Sequence, residues 1–170
     1  MLFETERLIV REAENADIPR IIYLEEHPDN RNYLWIGTVS EHKAEILDPN
    51  HILCVFEEKN TGEIIGYALI RLDFHSNIFE LRRIAIDRKG EGFGRESMVG
   101  IIKYAFEQTE TNRFWLDVYP DNIIGIKLYD SLGMHRDGIL RANYLSERSY
   151  LDQIIYSVLR AEYEGGKLNL

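Results

Sequence analysis

The segment Lys89-Gly90-Glu91-Gly92-Phe93-Gly94 sets glycines at alternate positions, directly after an alternating apolar run that ends at Ile86 and directly before a helical apolar stripe. Glycine lacks a Cβ, so the main chain there can adopt positive φ and approach a ligand closely. A helix starting near Gly94 leaves its first N–H groups without intrahelical partners, and its dipole adds partial positive charge at the same end. Arg88, Lys89 and Arg95 add full charges. A phosphate or pyrophosphate suits such an arrangement.

Spacing separates the loops that bind phosphate in this way. A nucleotide P-loop places Lys and then Ser or Thr after its last glycine, whereas Gly94 is followed by Arg95-Glu96, which excludes it. A dinucleotide fingerprint needs a third glycine where this chain has Arg95, counted from Gly90 and Gly92, or Ser97, counted from Gly92 and Gly94. What remains is a basic residue, two spacers, Gly, one spacer, Gly. From the loop alone, a phosphate cradle and a plain strand-to-helix connection both stay open.

The rest of the composition narrows the class. A chain of 170 residues, 45% hydrophobic, fits one domain over residues 1–170 with a sizeable core. Charges within the first residues and the lack of a long apolar run favour a soluble, cytoplasmic protein with no membrane partner. Cys54 lies in the apolar run Ile52 to Phe56 and reads as a packed strand residue, and no Cys or His spacing suggests a metal. A formal charge of −9 disfavours nucleic acid as a partner. It suits a cationic substrate, and equally it is an ordinary solubility feature.

The elements that must position the loop follow from periodicity and punctuation. A strand over Thr5 to Glu12 leads through Asn15-Ala16-Asp17-Ile18-Pro19, with its capping residues and first-turn proline, into a helix ending near Glu26. Pro28 to Asn32 break it, and Ser40 is the expected cap of a short helix through Leu47. Strands His51 to Glu57 and Glu63 to Phe74 flank the hairpin turn Lys59-Asn60-Thr61-Gly62, and a turn at His75 to Asn77 leads into a strand over Ile78 to Asp87. Beyond the loop, Met98, Ile101, Ile102, Ala105 and Phe106 stripe a helix reaching Gln108. A strand Arg113 to Tyr119, a helix Ile124 to Leu132 closed by Gly133, and strands Met134 to Tyr144 and Tyr150 to Arg160 finish the chain. The expected class is mixed α/β (α+β), about seven strands with four helices.

This order, the glycine loop, and Asn122 followed by Leu128-Tyr129-Asp130-Ser131-Leu132-Gly133-Met134 resemble the GNAT superfamily of acyl-CoA N-acyltransferases over nearly the whole chain. Glu6 to Arg11 and Tyr150 to Tyr156 further resemble the branch holding ribosomal-protein N-terminal and spermidine acetyltransferases. The resemblance implies a mostly antiparallel central sheet, splayed in its middle to form the acyl-CoA cleft. It implies an N-acetyltransferase that moves an acetyl group from acetyl-CoA, without metal, to a primary amine on a small molecule such as a polyamine or on a basic peptide N-terminus. A homodimer is among the expected assemblies, and a non-catalytic acyl-CoA sensor keeps the same motifs.

The resemblance also assigns roles. The pyrophosphate lies on the N–H groups of Lys89, Gly90, Glu91, Gly92, Phe93, Gly94 and Arg95, the pantetheine arm pairs with the backbone of Ile84, Ala85 and Ile86, and Asn122 hydrogen-bonds it from the opposite wall. Asn122 has plain turn chemistry as its other reading. Tyr129 is the general acid for the leaving thiolate, protonated at neutral pH because a phenol titrates near 10. Glu80 stands where relatives carry a general base; strand parity puts it on one face with Arg82 and Ile84, and pairing with Arg82 is the alternative. Lys89 replaces a commoner Gln or Arg, and the approach from Ile86 is about two residues short, which shifts the expected 3′-phosphate contact to Arg88 or Arg95. Tyr33 and Trp35 either line an amine pocket by cation–π contact or anchor a connection to the core. The five histidines form no cluster and read as turn or surface residues, with His75 the one near the expected base.

Overall fold

The computed structural model describes residues 1–170. One sheet of eight strands runs through the molecule in the order β1-β2-β3-β4-β5-β6-β8-β7. The strands are β1 (Phe3–Glu4), β2 (Leu8–Glu12), β3 (His51–Glu58), β4 (Ile64–Asp73), β5 (Ile78–Ile86), β6 (Arg113–Val118), β7 (His135–Leu145) and β8 (Tyr150–Leu159). The helices are α1 (Ile18–Glu26), α2 (Val39–Leu47), α3 (Phe93–Gln108), α4 (Ile123–Ser131) and α5 (Arg160–Glu164). The seven expected strands and four expected helices are all present. The additions are the two-residue β1 and the five-residue α5, both too short to show a period.

Capping corrects one boundary. Thr38, and not Ser40, caps α2: its hydroxyl accepts from the Glu41 N–H at 3.2 Å while the Glu41 carboxylate accepts from the Thr38 N–H at 2.8 Å. The reciprocal pair satisfies two donors at once, which a cap at Ser40 would forgo.

The sheet has two apolar faces. On one, α3 and α4 pack over a cluster that includes Phe79, Leu81, Met98, Ile101, Phe114 and Tyr129. On the other, α1 packs over a smaller cluster that includes Ile21, Leu24, Leu53, Tyr67, Leu69 and Ala85. All neighbours in the sheet are antiparallel except β5 and β6, which run parallel and pair only from Ile78–Arg113 to Leu81–Leu116.

Arg82 is why they part. β4 pairs Leu69 with Arg83 and Ile70 with Leu81, so Arg82 is an extra residue, a β-bulge, immediately after the last β5–β6 pair. A bulge bends its strand and tightens the twist, turning β5 away from β6, which stays paired to β8 through Val118. The bulge also shifts side-chain parity: Phe79 and Leu81 face the α3/α4 cluster, and beyond Arg82 it is Ile84 and Ile86 that do so. Glu80 therefore does not share a face with Ile84, as unbroken alternation requires; it lies on the α1/α2 side with Arg83 and Ala85.

Candidate functional site

The parting of β5 and β6 opens a cleft of about 1410 Å³ that passes through the sheet. Ile84, Ile86, Met98, Leu128 and Tyr129 line it from the α3/α4 side, and Trp35, Glu80, Arg83 and Asp117 from the other. From Arg82 onward β5 pairs only with β4, so its second edge faces the cleft unpaired. That edge carries the backbone of Ile84, Ala85 and Ile86. An unpaired strand edge can accept an extended chain as an added strand.

At the end of β5 the glycine loop turns the chain into α3. Arg88, Gly90 and Gly92 all have positive φ, at 53°, 83° and 84°. This alternation of left-handed residues rotates successive peptide planes so that their N–H groups point together. None of the N–H groups of Lys89, Gly90, Glu91, Gly92, Phe93, Gly94 and Arg95 donates a hydrogen bond within the protein. They lie at the N-terminus of the longest helix of the chain. A run of free donors with a helix dipole behind it is an anion cradle.

The side chains of the loop divide. Lys89, Gly90 and Gly94 line the cleft, and the Lys89 ammonium donates to Asn30 Oδ1 at 2.7 Å while burial lowers its pKa. Phe93 points inward and is buried, with the guanidiniums of Arg7 and Arg88 over its ring at 4.0 and 4.9 Å. Arg88 also pairs with Glu58 at 2.6 Å and with Glu91 at 2.9 Å, and Arg95 donates to Ser131 Oγ at 2.9 Å and to the Asn169 carbonyl at 2.5 Å. Both arginines expected near a 3′-phosphate are thus held by other groups, and the loop's cation inside the cleft is Lys89.

On the opposite wall, Asn122 caps α4, its Oδ1 accepting from the Gly125 N–H at 3.0 Å. The turn reading of Asn122 is therefore correct for its oxygen, while its Nδ2 donates no hydrogen bond and lies on the cleft wall. Gly125 is required by this cap, since a Cβ there would sit 2.9 Å from Asn122 Nδ2. Two turns along α4 from Asn122, Tyr129 is 7% exposed and packs at 5.7 Å, ring to ring, on Tyr156. Its hydroxyl takes part in no hydrogen bond within the protein, and it lines the cleft. Burial first, and the Asp117 charge second, push its pKa well above the usual phenol value. The Tyr129 phenol therefore keeps its proton through the physiological range.

Glu80 lines the cleft from the α1/α2 side, its side chain 14% exposed. Burial is the main reason its pKa is raised; Arg82 and Arg71 oppose the rise and Asp117 adds to it. Asp117 was not singled out in the sequence. It stands on β6 two residues beyond Trp115, the parallel partner of Glu80, and so on the same face as Glu80. Gln153 donates to its carboxylate at 2.9 Å, and burial raises its pKa as well. The clue was present in Phe114-Trp115-Leu116-Asp117-Val118, where a carboxylate interrupts a half-buried strand without a neighbouring charge.

Sequence reasoning also missed what holds this wall in place. His42 is fully buried, and with it Glu25, Glu45, Tyr67 and Arg83 form a network between α1, α2, β4 and β5. Glu25 accepts from the Tyr67 hydroxyl at 2.6 Å, Arg83 at 3.2 Å and the Gly37 N–H at 2.9 Å, and its Oε2 lies 3.1 Å from His42 Nε2. His42 Nδ1 lies 2.8 Å from Glu45, which Arg83 also pairs. Gly37 must lack a side chain because a Cβ would come within 2.6 Å of the His42 ring. Trp35 and Tyr33 line the cleft just before Gly37, and one face of the Trp35 ring already carries Arg83 at 4.9 Å. His75, by contrast, is exposed in its turn and away from the cleft.

Comparison with known proteins agrees with this geometry. The model of the Acetyltransferase (GNAT) family matches residues 9–134. An uncharacterized N-acetyltransferase, p20, of Bacillus licheniformis is 27% identical over 95% of this chain and 97% of its own. The spermine/spermidine N(1)-acetyltransferase of Bacillus subtilis is 28% identical over 48% of this chain and 59% of its own. Among solved structures, a chimera of the spermidine N-acetyltransferase SpeG from Vibrio cholerae superposes with a TM-score of 0.83 at 20% identity, covering 94% of this chain and 99% of that one. A GNAT-family acetyltransferase from Bacillus anthracis gives 0.78 at 17% identity, covering 94% and 98%. With its parted parallel strands, its cradle of free N–H groups and a family match spanning most of its length, this chain belongs to the GNAT family of acetyltransferases.

Proposed function

We propose that the protein transfers the acetyl group of acetyl-CoA to a primary amine by direct attack, with both substrates held in the cleft at once. The observation that carries this is the run of free N–H groups from Lys89 to Arg95 at the mouth of a cleft whose opposite wall presents the unpartnered Tyr129 hydroxyl. Acetyl-CoA supplies an activated acyl thioester. The cradle and the α3 dipole neutralise its pyrophosphate, Lys89 adds a cation there, the free edge at Ile84 to Ile86 pairs with its pantetheine amides, and Asn122 Nδ2 donates from across the cleft.

The chemistry takes two protons from the ammonium and puts one on the sulfur. Glu80, raised above an ordinary carboxylate and set on the acceptor side, takes the proton of the incoming ammonium so that a neutral amine attacks the carbonyl carbon. As the new C–N bond forms and the C–S bond breaks, Tyr129 on the other side gives its proton to the departing sulfur, and the second proton shed by the nitrogen as the neutral amide forms restores the phenol. Placing amine and acyl carbon on the two sides of one opening supplies attack geometry, worth up to roughly 7–11 kcal/mol in the best intramolecular reactions.

The test is a thermal shift with acetyl-CoA, ATP and NAD, followed by thiol release from acetyl-CoA over a panel of amines that includes spermidine, spermine and basic peptides. Acetyl-CoA at about 100 times its Kd raises stability by about 2.7 kcal/mol. Stabilisation by acetyl-CoA together with release is the expected result. Stabilisation without release from any amine identifies a sensor, and no stabilisation refutes an acyl-CoA site.

A further inference from the structure

The two carboxylates of the acceptor side do not stand alone. Arg71 on β4 is the antiparallel partner of Glu80, with its Nε 3.7 Å from Glu80 Oε2, and the bulge residue Arg82 brings a guanidinium nitrogen to 4.0 Å from the same oxygen. Neither arginine donates a hydrogen bond to any group of the protein, their side chains are 53% and 41% exposed, and both line the cleft. Their situation differs from that of the cleft's other basic side chains. Arg83 is committed to Glu25 and Glu45, Lys89 to Asn30, and the His51 ring nitrogen to Asp48 at 2.8 Å.

The local charge decides what this place can hold. Glu80 and Asp117 contribute two negative charges and Arg71 and Arg82 two positive ones, so these four groups together are neutral and set charges of both signs side by side. A polyamine, which carries several positive charges and no negative one, would be attracted by the carboxylates and opposed by the arginines. An amine with an anionic group on the same small molecule meets an opposite charge at both ends. A guanidinium with free donors is suited to a carboxylate because its planar fork can give two parallel hydrogen bonds.

From this juxtaposition of Glu80 and Asp117 with the unsatisfied guanidiniums of Arg71 and Arg82, we infer that the acceptor is an amino-carboxylate. Its ammonium lies at Glu80 and Asp117 and its carboxylate is held by Arg71 and Arg82. This rests on the acetyl-transfer reading and names the acceptor class for that same site. The bulge residue of β5, Arg82, is itself part of the cleft wall. The general negative charge of the chain then acts as a surface property, and the local pattern sets specificity.

A matched-pair experiment decides the matter. The protein is incubated with acetyl-CoA and a mixture of free amino acids, their carboxamides and spermidine, and acetylated products are identified by mass spectrometry. For the best acceptor, kcat/KM is then compared between acid and amide in the wild type and in Arg82→Gln and Arg71→Gln. The expected result is a preference for the acid of at least about tenfold, the discrimination given by charge-assisted hydrogen bonds, falling toward parity in either variant while the KM for acetyl-CoA stays unchanged. Equal use of acid and amide by the wild type, or acetylation of spermidine and of no carboxylate, overturns the inference and leaves acetyl transfer standing. No acetylated product from any amine overturns both. Should a variant fail to fold, the acid-to-amide ratio of the wild type still decides.

Discussion

His42 gives a prediction in which the size of the effect comes from the site. Its side chain has no exposure to water, and each ring nitrogen meets a carboxylate, Glu25 at 3.1 Å and Glu45 at 2.8 Å. Burial alone lowers its pKa and is the largest single influence, but the hydrogen bonds and charges of Glu25 and Glu45 together outweigh it and bring the value up from 6.5 to about 9. With Arg83 the four groups sum to zero charge while His42 is protonated, and to one uncompensated negative charge in a water-free place when it is not. The group binds its proton more tightly folded than unfolded, so the stability it contributes is complete below pH 6.5, declines as pH rises, and is gone above about 9. At 1.36 kcal/mol per pH unit the interval corresponds to about 3 kcal/mol. Replacing His42 with Gln removes the titrating charge and keeps a polar side chain. Urea unfolding of the wild type and of His42→Gln, at about pH 6 and at about pH 10, should show the variant less stable by about 3 kcal/mol at the lower pH, with the gap closing at the higher. A gap equal at both pH values would refute the protonated network. Because Glu25 also holds the Gly37 N–H and Arg83 lies on Trp35, the variant should raise the KM for the amine more than that for acetyl-CoA.

Two further expectations concern the groups proposed to take part in the reaction. Tyr129→Phe should lower kcat by about 10²- to 10⁴-fold, the range for a positioned general acid, with the affinity for acetyl-CoA retained, since the lost hydroxyl makes no hydrogen bond within the protein; unchanged turnover removes Tyr129 from the mechanism. The acidic limb of the kcat/KM profile should lie above the pH of an ordinary carboxylate because burial raises Glu80, and Asp117→Asn, by removing a like charge, should move that limb to lower pH; a limb that does not move separates Asp117 from the base.

The element order was legible because it depends on local physics. Alternation marked the strands, the apolar stripe from Met98 to Phe106 marked α3, and the turn residues at Lys59 to Gly62 and Pro120 to Asn122 marked the joints. Where local rules competed, the structure chose between them. Thr38 rather than Ser40 caps α2 because only Thr38 has Glu41 at the reciprocal position. The Arg82 bulge was invisible because Arg82-Arg83 reads as plain alternation broken by one charge, and only pairing with β4 shows which arginine is extra. That one residue moved Glu80 to the face opposite Ile84.

By itself, then, the sequence determined the family, the glycine loop and the chain positions of Tyr129, Asn122 and Glu80, since each depends on residue type at fixed spacing within one or two neighbouring elements. The tertiary structure alone decided which of the loop's charges face the cleft. Arg88 and Arg95 find partners distant in the chain, at Glu58 and Asn169, and Lys89 does not turn away. It alone also brought Arg71, Glu80, Arg82 and Asp117 to one opening and enclosed Glu25 and His42 in a common interior. These residues come from three strands and two helices, and no period along a chain records which charges will meet when β5 and β6 separate.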